Sequence, residues 1–330
     1  MRLRSVVLGA TAFSLFFLFG AIAVDPLPVY RSLQEKRLFL SGAKREVFAA
    51  DDGTSLSAYV LGPLSAERPV VLLHGLGADA TYWTEAARFL ARQGRTVILP
   101  DAPGSGLSAA PHDAASFGVR GRVAAMDALA RALALEKFDF VGHSLGGWTA
   151  GWYALEFPWK VSRLVFVDAA GLSLPEDTDA ERTRVLPRDR AGARRIFDLL
   201  FFRKPAPSAG FILDAFGRNY GSGTAAATVA RLAEADGLLS RLPDLPPRAT
   251  LIWGERDTLF PLAEARGAAS KMREARFVVL EGTGHDGPLE APAAFHAALL
   301  AALEGPARVT GATAVPPPRR STRSERSPTP

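Results

Sequence analysis

The sequence predicts an α/β protein: a mostly parallel sheet of eight strands, helices on both faces, and a helical cap inserted late in the chain. Three observations carry that reading. Continuous apolar runs such as Val70-Val71-Leu72-Leu73 and Val97-Ile98-Leu99 lack polar alternation, the mark of strands buried on both faces. Stretches with helical spacing fall between the runs. The runs end in clusters of Gly, His, Asp and Ser, where open α/β sheets gather their ligand-binding groups.

The chain starts with a short basic stretch, Met1 to Arg4, and residues 5–24 then carry no charge. About 20 apolar residues cross a bilayer. Residues 1–28 therefore read as a signal anchor, for which the run has the full length, or as a signal peptide cleaved near Ala21-Ile22-Ala23. Arg2 and Arg4 would stay cytoplasmic, so the body is expected on the extracytoplasmic side, or secreted if the segment is removed. Residues 29–43 are polar and mixed, a lead away from the membrane. Strand-like runs at 44–50 and 55–61 flank Asp51-Asp52-Gly53, a hairpin-type turn. A buried strand at 70–73 precedes a helix at 81–92, stopped by Gly94, and a strand at 96–99. An Ala-rich helix at 117–135 returns the chain to a strand that starts at Phe138.

The strand at 161–167 ends at Asp168, and the alternation then breaks. Residues 172–242 are charged, Pro-broken and Phe-rich helical pieces without strand signal, the expected cap between core segments 29–171 and 243–305. The rhythm resumes with strands at 249–253 and 276–280 and helices at 262–270 and 292–303. Residues 306–330 are rich in Pro, Arg, Ser and Thr and read as a disordered tail.

Charge and cysteine content exclude several classes of function. Arg2 and Arg4 supply two charges of the net +5 and the tail four more, which leaves the body at about −1. A near-neutral body offers no nucleic-acid-binding face. There is no cysteine, so disulfides, thiolate catalysis and Cys-based zinc sites are absent.

The chemistry concentrates in Gly142-His143-Ser144-Leu145-Gly146, between an apolar strand and a helix-like segment. In that context the pattern sets a serine on a tight turn, its hydroxyl clear of the sheet and a helix N-terminus behind it. A serine nucleophile needs a base, and the base needs a carboxylate. Of five histidines, His285 lies in a loop after the last strand, where it can reach back to Ser144; His143 must point away from its neighbour. Asp257, just past the penultimate strand, is favoured as the acid over Asp168, one strand earlier.

The blocks HGLG at 74–77, DAPGSGLS at 101–108, GHSLGG at 142–147, WGERDTLFP at 253–261 and GTGHDGPLEAP at 282–292 resemble the α/β-hydrolase superfamily over nearly all of residues 44–304. The resemblance implies Ser144 as nucleophile rather than the aspartate of dehalogenase and epoxide-hydrolase relatives. It further implies an oxyanion hole of the Leu76 and Leu145 N–H groups, a structural role for the 101–108 loop, and no metal or organic cofactor. The membrane segment and the cap look similar to monoacylglycerol-lipase-like, membrane-tethered hydrolases. The expected substrate is a small, lipid-like or other apolar acyl ester, monoacylglycerols among them, with Phe201, Phe202 and Phe216 of the cap as acyl-chain contacts. The alternatives are a C–C bond hydrolase of ring-cleavage diketones, an acyltransferase or perhydrolase, or a ligand-binding protein that keeps the fold without turnover.

Overall fold

The computed structural model describes residues 25–64, 68–172, 185–204, 210–232 and 236–305. Its eight strands are β1 (Lys44–Ala49), β2 (Ser55–Leu61), β3 (Val70–Leu73), β4 (Val97–Pro100), β5 (Phe138–His143), β6 (Val161–Val167), β7 (Thr250–Gly254) and β8 (Arg276–Leu280). They form one sheet in the order β1-β2-β4-β3-β5-β6-β7-β8. Only β2 runs against its neighbours β1 and β4; all other pairs are parallel, as expected. The hairpin at Asp51-Asp52-Gly53 is present, with Gly53 at φ +81° and the Thr54 N–H donating to Asp52 Oδ1 at 2.9 Å.

Successive strand residues face opposite sides, and each side is covered by helices. Val71, Phe140 and Phe166 pack with α3 (Val119–Ala132), α4 (Leu145–Glu156) and α8 (Leu262–Lys271). Val70, Val141 and Val165 pack with α2 (Thr84–Arg92) and α10 (Pro292–Glu304) on the other side. Between β6 and β7 come α5 (Arg190–Leu200), α6 (Gly210–Tyr220) and α7 (Gly223–Val229), with no strand among the described residues there. Ile196, Phe197, Leu200, Phe201 and Leu213 give this insertion a small core of its own. A short α9 (Gly287–Glu290) precedes α10.

One segment departs from expectation. Pro26–Leu40, which runs from the end of the segment read as anchor or signal peptide (1–28) into the polar lead (29–43), is helix α1. Asp25 caps it by accepting the Leu27 N–H at 3.3 Å, and Pro26 supplies a φ suited to the first turn. Gln34 and Leu38, one turn apart, are buried. Arg31 reaches Asp79, just beyond β3, with Nε 2.8 Å from Oδ2. The uncharged run at 5–24 and the 306–330 tail lie outside the described residues. Among the described residues no helix is long and apolar enough to cross a membrane.

The strand–helix contact under Ser144 is tight. A Cβ on Gly146 would stand 2.3 Å from the Leu73 carbonyl oxygen, and backbone cannot give way as a side chain can. Gly146→Ala is therefore expected to cost about 3 kcal/mol, read as a lowered thermal midpoint. A midpoint equal to the parent's would contradict this packing.

Candidate active site

Strand β5 ends at His143 and α4 begins at Leu145, so Ser144 makes the whole turn, at φ +51° and ψ −121°. For a residue with a Cβ that conformation costs about 1–3 kcal/mol and persists only where the surroundings enforce it. The Ser144 N–H donates to Val167 O at 3.0 Å, and its carbonyl accepts from Gly147 N at 2.9 Å and Ala170 N at 3.0 Å. A Cβ on Gly142 would meet Gly146 O at 2.2 Å, so the sequence G-H-S-L-G is a steric requirement of this elbow.

Two residues beside the serine, Leu76 and Leu145, have backbone N–H groups without a partner among the described residues. Leu145 opens α4, and its N–H has no acceptor within the helix. The Leu76 N–H meets no protein acceptor among the described residues. Both residues line one cavity with Ser144. The loop that carries Leu76 is fixed from behind. His74 donates Nδ1–H to Gly75 O at 2.8 Å and accepts the Ala102 N–H on Nε2 at 3.1 Å. Burial pulls this imidazole down to about 4, consistent with its neutral form. Asp101 accepts the N–H groups of Ala80 at 2.7 Å and Leu107 at 2.9 Å, and burial pushes its carboxyl up to about 7. The 101–108 loop thus clamps the 74–80 loop.

His285, after β8, and Asp257, after β7, meet with Nδ1 2.9 Å from Oδ2. The other oxygen of Asp257 accepts from Leu259 N at 2.8 Å and Phe260 N at 2.9 Å. A carboxylate only accepts, so Nδ1 carries the proton and Nε2 is left as the basic nitrogen. Burial alone would lower the His285 pKa, but the charge and hydrogen bond of Asp257, aided by Asp286 and Glu290, hold it above the ordinary value. His285 lines the same cavity as Ser144.

Asp168, the rival acid, makes no hydrogen bond to His285. Its Oδ1 accepts the Gly254 N–H at 2.7 Å and its other oxygen is buried without a partner. Burial, then the Asp257 charge, push its carboxyl well above the usual range. His143 turns away from Ser144 and donates Nε2–H to His285 O at 3.1 Å, while its ring stacks on Tyr82 at 4.9 Å.

The cavity holds about 280 Å³ and is walled mainly by apolar side chains of α1, α5, α6 and the loop after β7. Phe201 and Phe216 line it; Phe202 does not. Phe202 is 55 % exposed, its ring 5.9 Å from the Arg256 guanidinium. The cause is local: Phe201 closes α5 in extended backbone, φ −117° and ψ 117°, so its neighbour faces the opposite way. Eight polar lining residues escape the sequence reading: Tyr30 and Arg31, which come with the unexpected α1, Asp79, Thr81 and Tyr82 after β3, Asn219 and Tyr220 of α6, and Asp286. The one signal among them is that Asp286 directly follows His285. No group of three or more metal-ligating side chains occurs among the described residues.

The family model for the alpha/beta hydrolase fold matches residues 68–292. An uncharacterised protein of Mycobacterium tuberculosis is 31% identical over 252 residues, 66% of this chain and 69% of that one. A 2-hydroxymuconate semialdehyde hydrolase of a Pseudomonas species is 28% identical over 277 residues, 79% of this chain and 92% of its own. Among solved structures, a membrane phospholipase A described as a bacterial virulence factor superposes with a TM-score of 0.70 at 25% identity, covering 92% of this chain and 98% of its own.

Proposed function

The chain belongs to the alpha/beta hydrolase family, and on that premise we propose that it is a serine hydrolase that cleaves carboxylic esters of apolar acyl groups through an acyl-enzyme. One observation carries the reading: a serine held alone at a strained elbow shares an apolar cavity with a histidine already oriented by a buried carboxylate. In this reading Ser144 Oγ attacks the ester carbonyl as His285 Nε2 takes its proton. The Leu76 and Leu145 N–H groups receive the oxyanion, each worth roughly 3–4 kcal/mol. The proton then passes from His285 to the departing alcohol, and water, activated by the same nitrogen, releases the acid. Phe201 and Phe216 contact the acyl chain.

The base works in its neutral form, so activity falls as pH drops through the His285 pKa. That pKa is raised, which places the acid limb of kcat/KM above about 6.5, the ordinary imidazole value. A pH profile with p-nitrophenyl butyrate measures it; a limb centred at or below that value would contradict the Asp257 contact.

Similarity to the semialdehyde hydrolase motivates a second reading, C–C bond hydrolysis of a ring-cleavage diketone. Such substrates bear a carboxylate that needs a cation. The cavity's one lining cation among the described residues, Arg31, is already held by Asp79, which favours neutral esters. Parallel assays with p-nitrophenyl esters and a vinylogous diketone separate the two readings. Residues 1–28 are further proposed to tether the protein to a membrane with the body outside the cytoplasm, a reading motivated by the uncharged run at 5–24. Recovery in a carbonate-washed membrane fraction supports it, and recovery in the supernatant opposes it.

A further inference from the structure

A second, smaller cavity of about 90 Å³ lies between α1, the start of α2, α9 and α10. Tyr30, Thr81, Tyr82 and Leu289 line it and the active-site cavity alike, so one layer of side chains parts the two. Two groups in its wall are left without a hydrogen bond. Gln34 is 7 % exposed and Trp83 fully buried, and among the described residues neither Gln34 Oε1 nor the Trp83 Nε1–H has a partner.

The chemistry of these atoms says what belongs there. One accepts and the other donates. An apolar occupant would leave both unmatched, a cost that buried polar groups normally escape by binding water. The lining carboxylate, Glu85, is exposed and paired with Arg37 and Arg88, so no buried charge calls for a counter-ion. Burial lowers the pKa of His296, the lining imidazole, which keeps it neutral. The volume takes several water molecules.

The shared wall leads to the base. The Tyr82 hydroxyl donates to Asp286 Oδ1 at 3.0 Å, and Asp286 directly follows His285. In the acyl-enzyme the acyl chain occupies the apolar walls of α5 and α6, yet water must still reach His285 Nε2. Water that passes Tyr82 arrives beside His285 from a cavity to which α5 and α6 contribute nothing.

We propose that the second cavity is a water chamber for deacylation, in which Gln34 and Trp83 hold water and Tyr82 forms the partition it crosses. The proposal rests on the serine-hydrolase reading. The incoming water gives a proton to His285 Nε2 while its oxygen bonds to the acyl carbon. The bond from that carbon to Ser144 Oγ then breaks, and the serine oxygen takes the proton back.

The test is the fate of the acyl group. With p-nitrophenyl butyrate and added benzyl alcohol, the acyl-enzyme partitions between butyrate and benzyl butyrate, and the product ratio does not depend on how fast the acyl-enzyme forms. Benzyl alcohol, far bulkier than water, is confined to the larger cavity. Gln34→Leu removes the acceptor, and Ala86→Leu fills the chamber from its wall. Each is expected to shift the products about threefold or more toward benzyl butyrate, the worth of one hydrogen bond to the water. With this activated ester kcat should fall in step, while kcat/KM, which reports acylation, holds. Gln34→Leu deletes a buried oxygen that nothing in the protein satisfies, so it carries the test should Ala86→Leu fail to fold. A product ratio that neither variant moves, or equal losses in kcat and kcat/KM, would overturn the chamber while the ester reading stands. Failure to cleave any ester would remove both readings together.

Discussion

Ser144→Ala is expected to lose fluorophosphonate labelling altogether and ester turnover by on the order of 10⁴- to 10⁶-fold, leaving only what the oxyanion donors and binding provide. The loss should be in kcat, because the serine oxygen contributes to bond formation and little to ground-state binding. Stability should barely change, since alanine keeps the Cβ and with it the strain of φ +51°. Ser144→Gly makes the complementary case. Glycine accepts a positive φ without a clash, so this variant should be equally inactive yet more stable by about 1 kcal/mol or more. A dead enzyme that melts higher than its parent is the signature of strain kept for function. Labelling that persists in Ser144→Ala would reject the nucleophile, and a Gly variant that melts lower would reject the strained elbow.

Asp257→Asn is expected to lower kcat by about 10⁴-fold while the protein stays folded. The geometry dictates why. The N–H groups of Leu259 and Phe260 both need an acceptor where Oδ1 now sits, so the amide oxygen takes that place. The amide NH₂ then faces His285 Nδ1, formerly 2.9 Å from Oδ2. Two donors cannot share one contact, so the imidazole proton moves to Nε2, the nitrogen that must take the Ser144 proton. Asp168 cannot substitute, because one oxygen is tied to the Gly254 N–H and its carboxyl is pushed well above the usual range, chiefly by burial. A loss below tenfold would mean that another acid orients the ring.

Much of this was legible in the sequence because the physics there is local. Strands buried on both faces must be apolar throughout, so β3 and β4 announce themselves. The elbow glycines are demanded because a Cβ at Gly142 or Gly146 would stand 2.2 or 2.3 Å from a backbone oxygen. Helix α1 was not legible: Gln34 and Leu38 alone are buried along its length, too narrow a stripe to stand out against a polar segment. The polar residues of the cavity were hidden for another reason. Tyr82, Tyr220 and Asp286 come from three separate regions of the chain, and only folding brings them to one cavity. Phe202 failed as a cavity residue because neighbours in extended backbone face opposite ways, a fact that composition cannot carry.

The central claim is that Ser144 carries the acyl group during turnover. Rapid acid quench of the enzyme with p-nitrophenyl butyrate, followed by peptide mass spectrometry, tests it directly. The tryptic peptide from Phe138 to Lys160 contains Ser144 as its only serine. The account predicts one butyryl adduct on that peptide, appearing within the first turnover and absent from Ser144→Ala. Turnover without any adduct, or an adduct on another peptide, would contradict it.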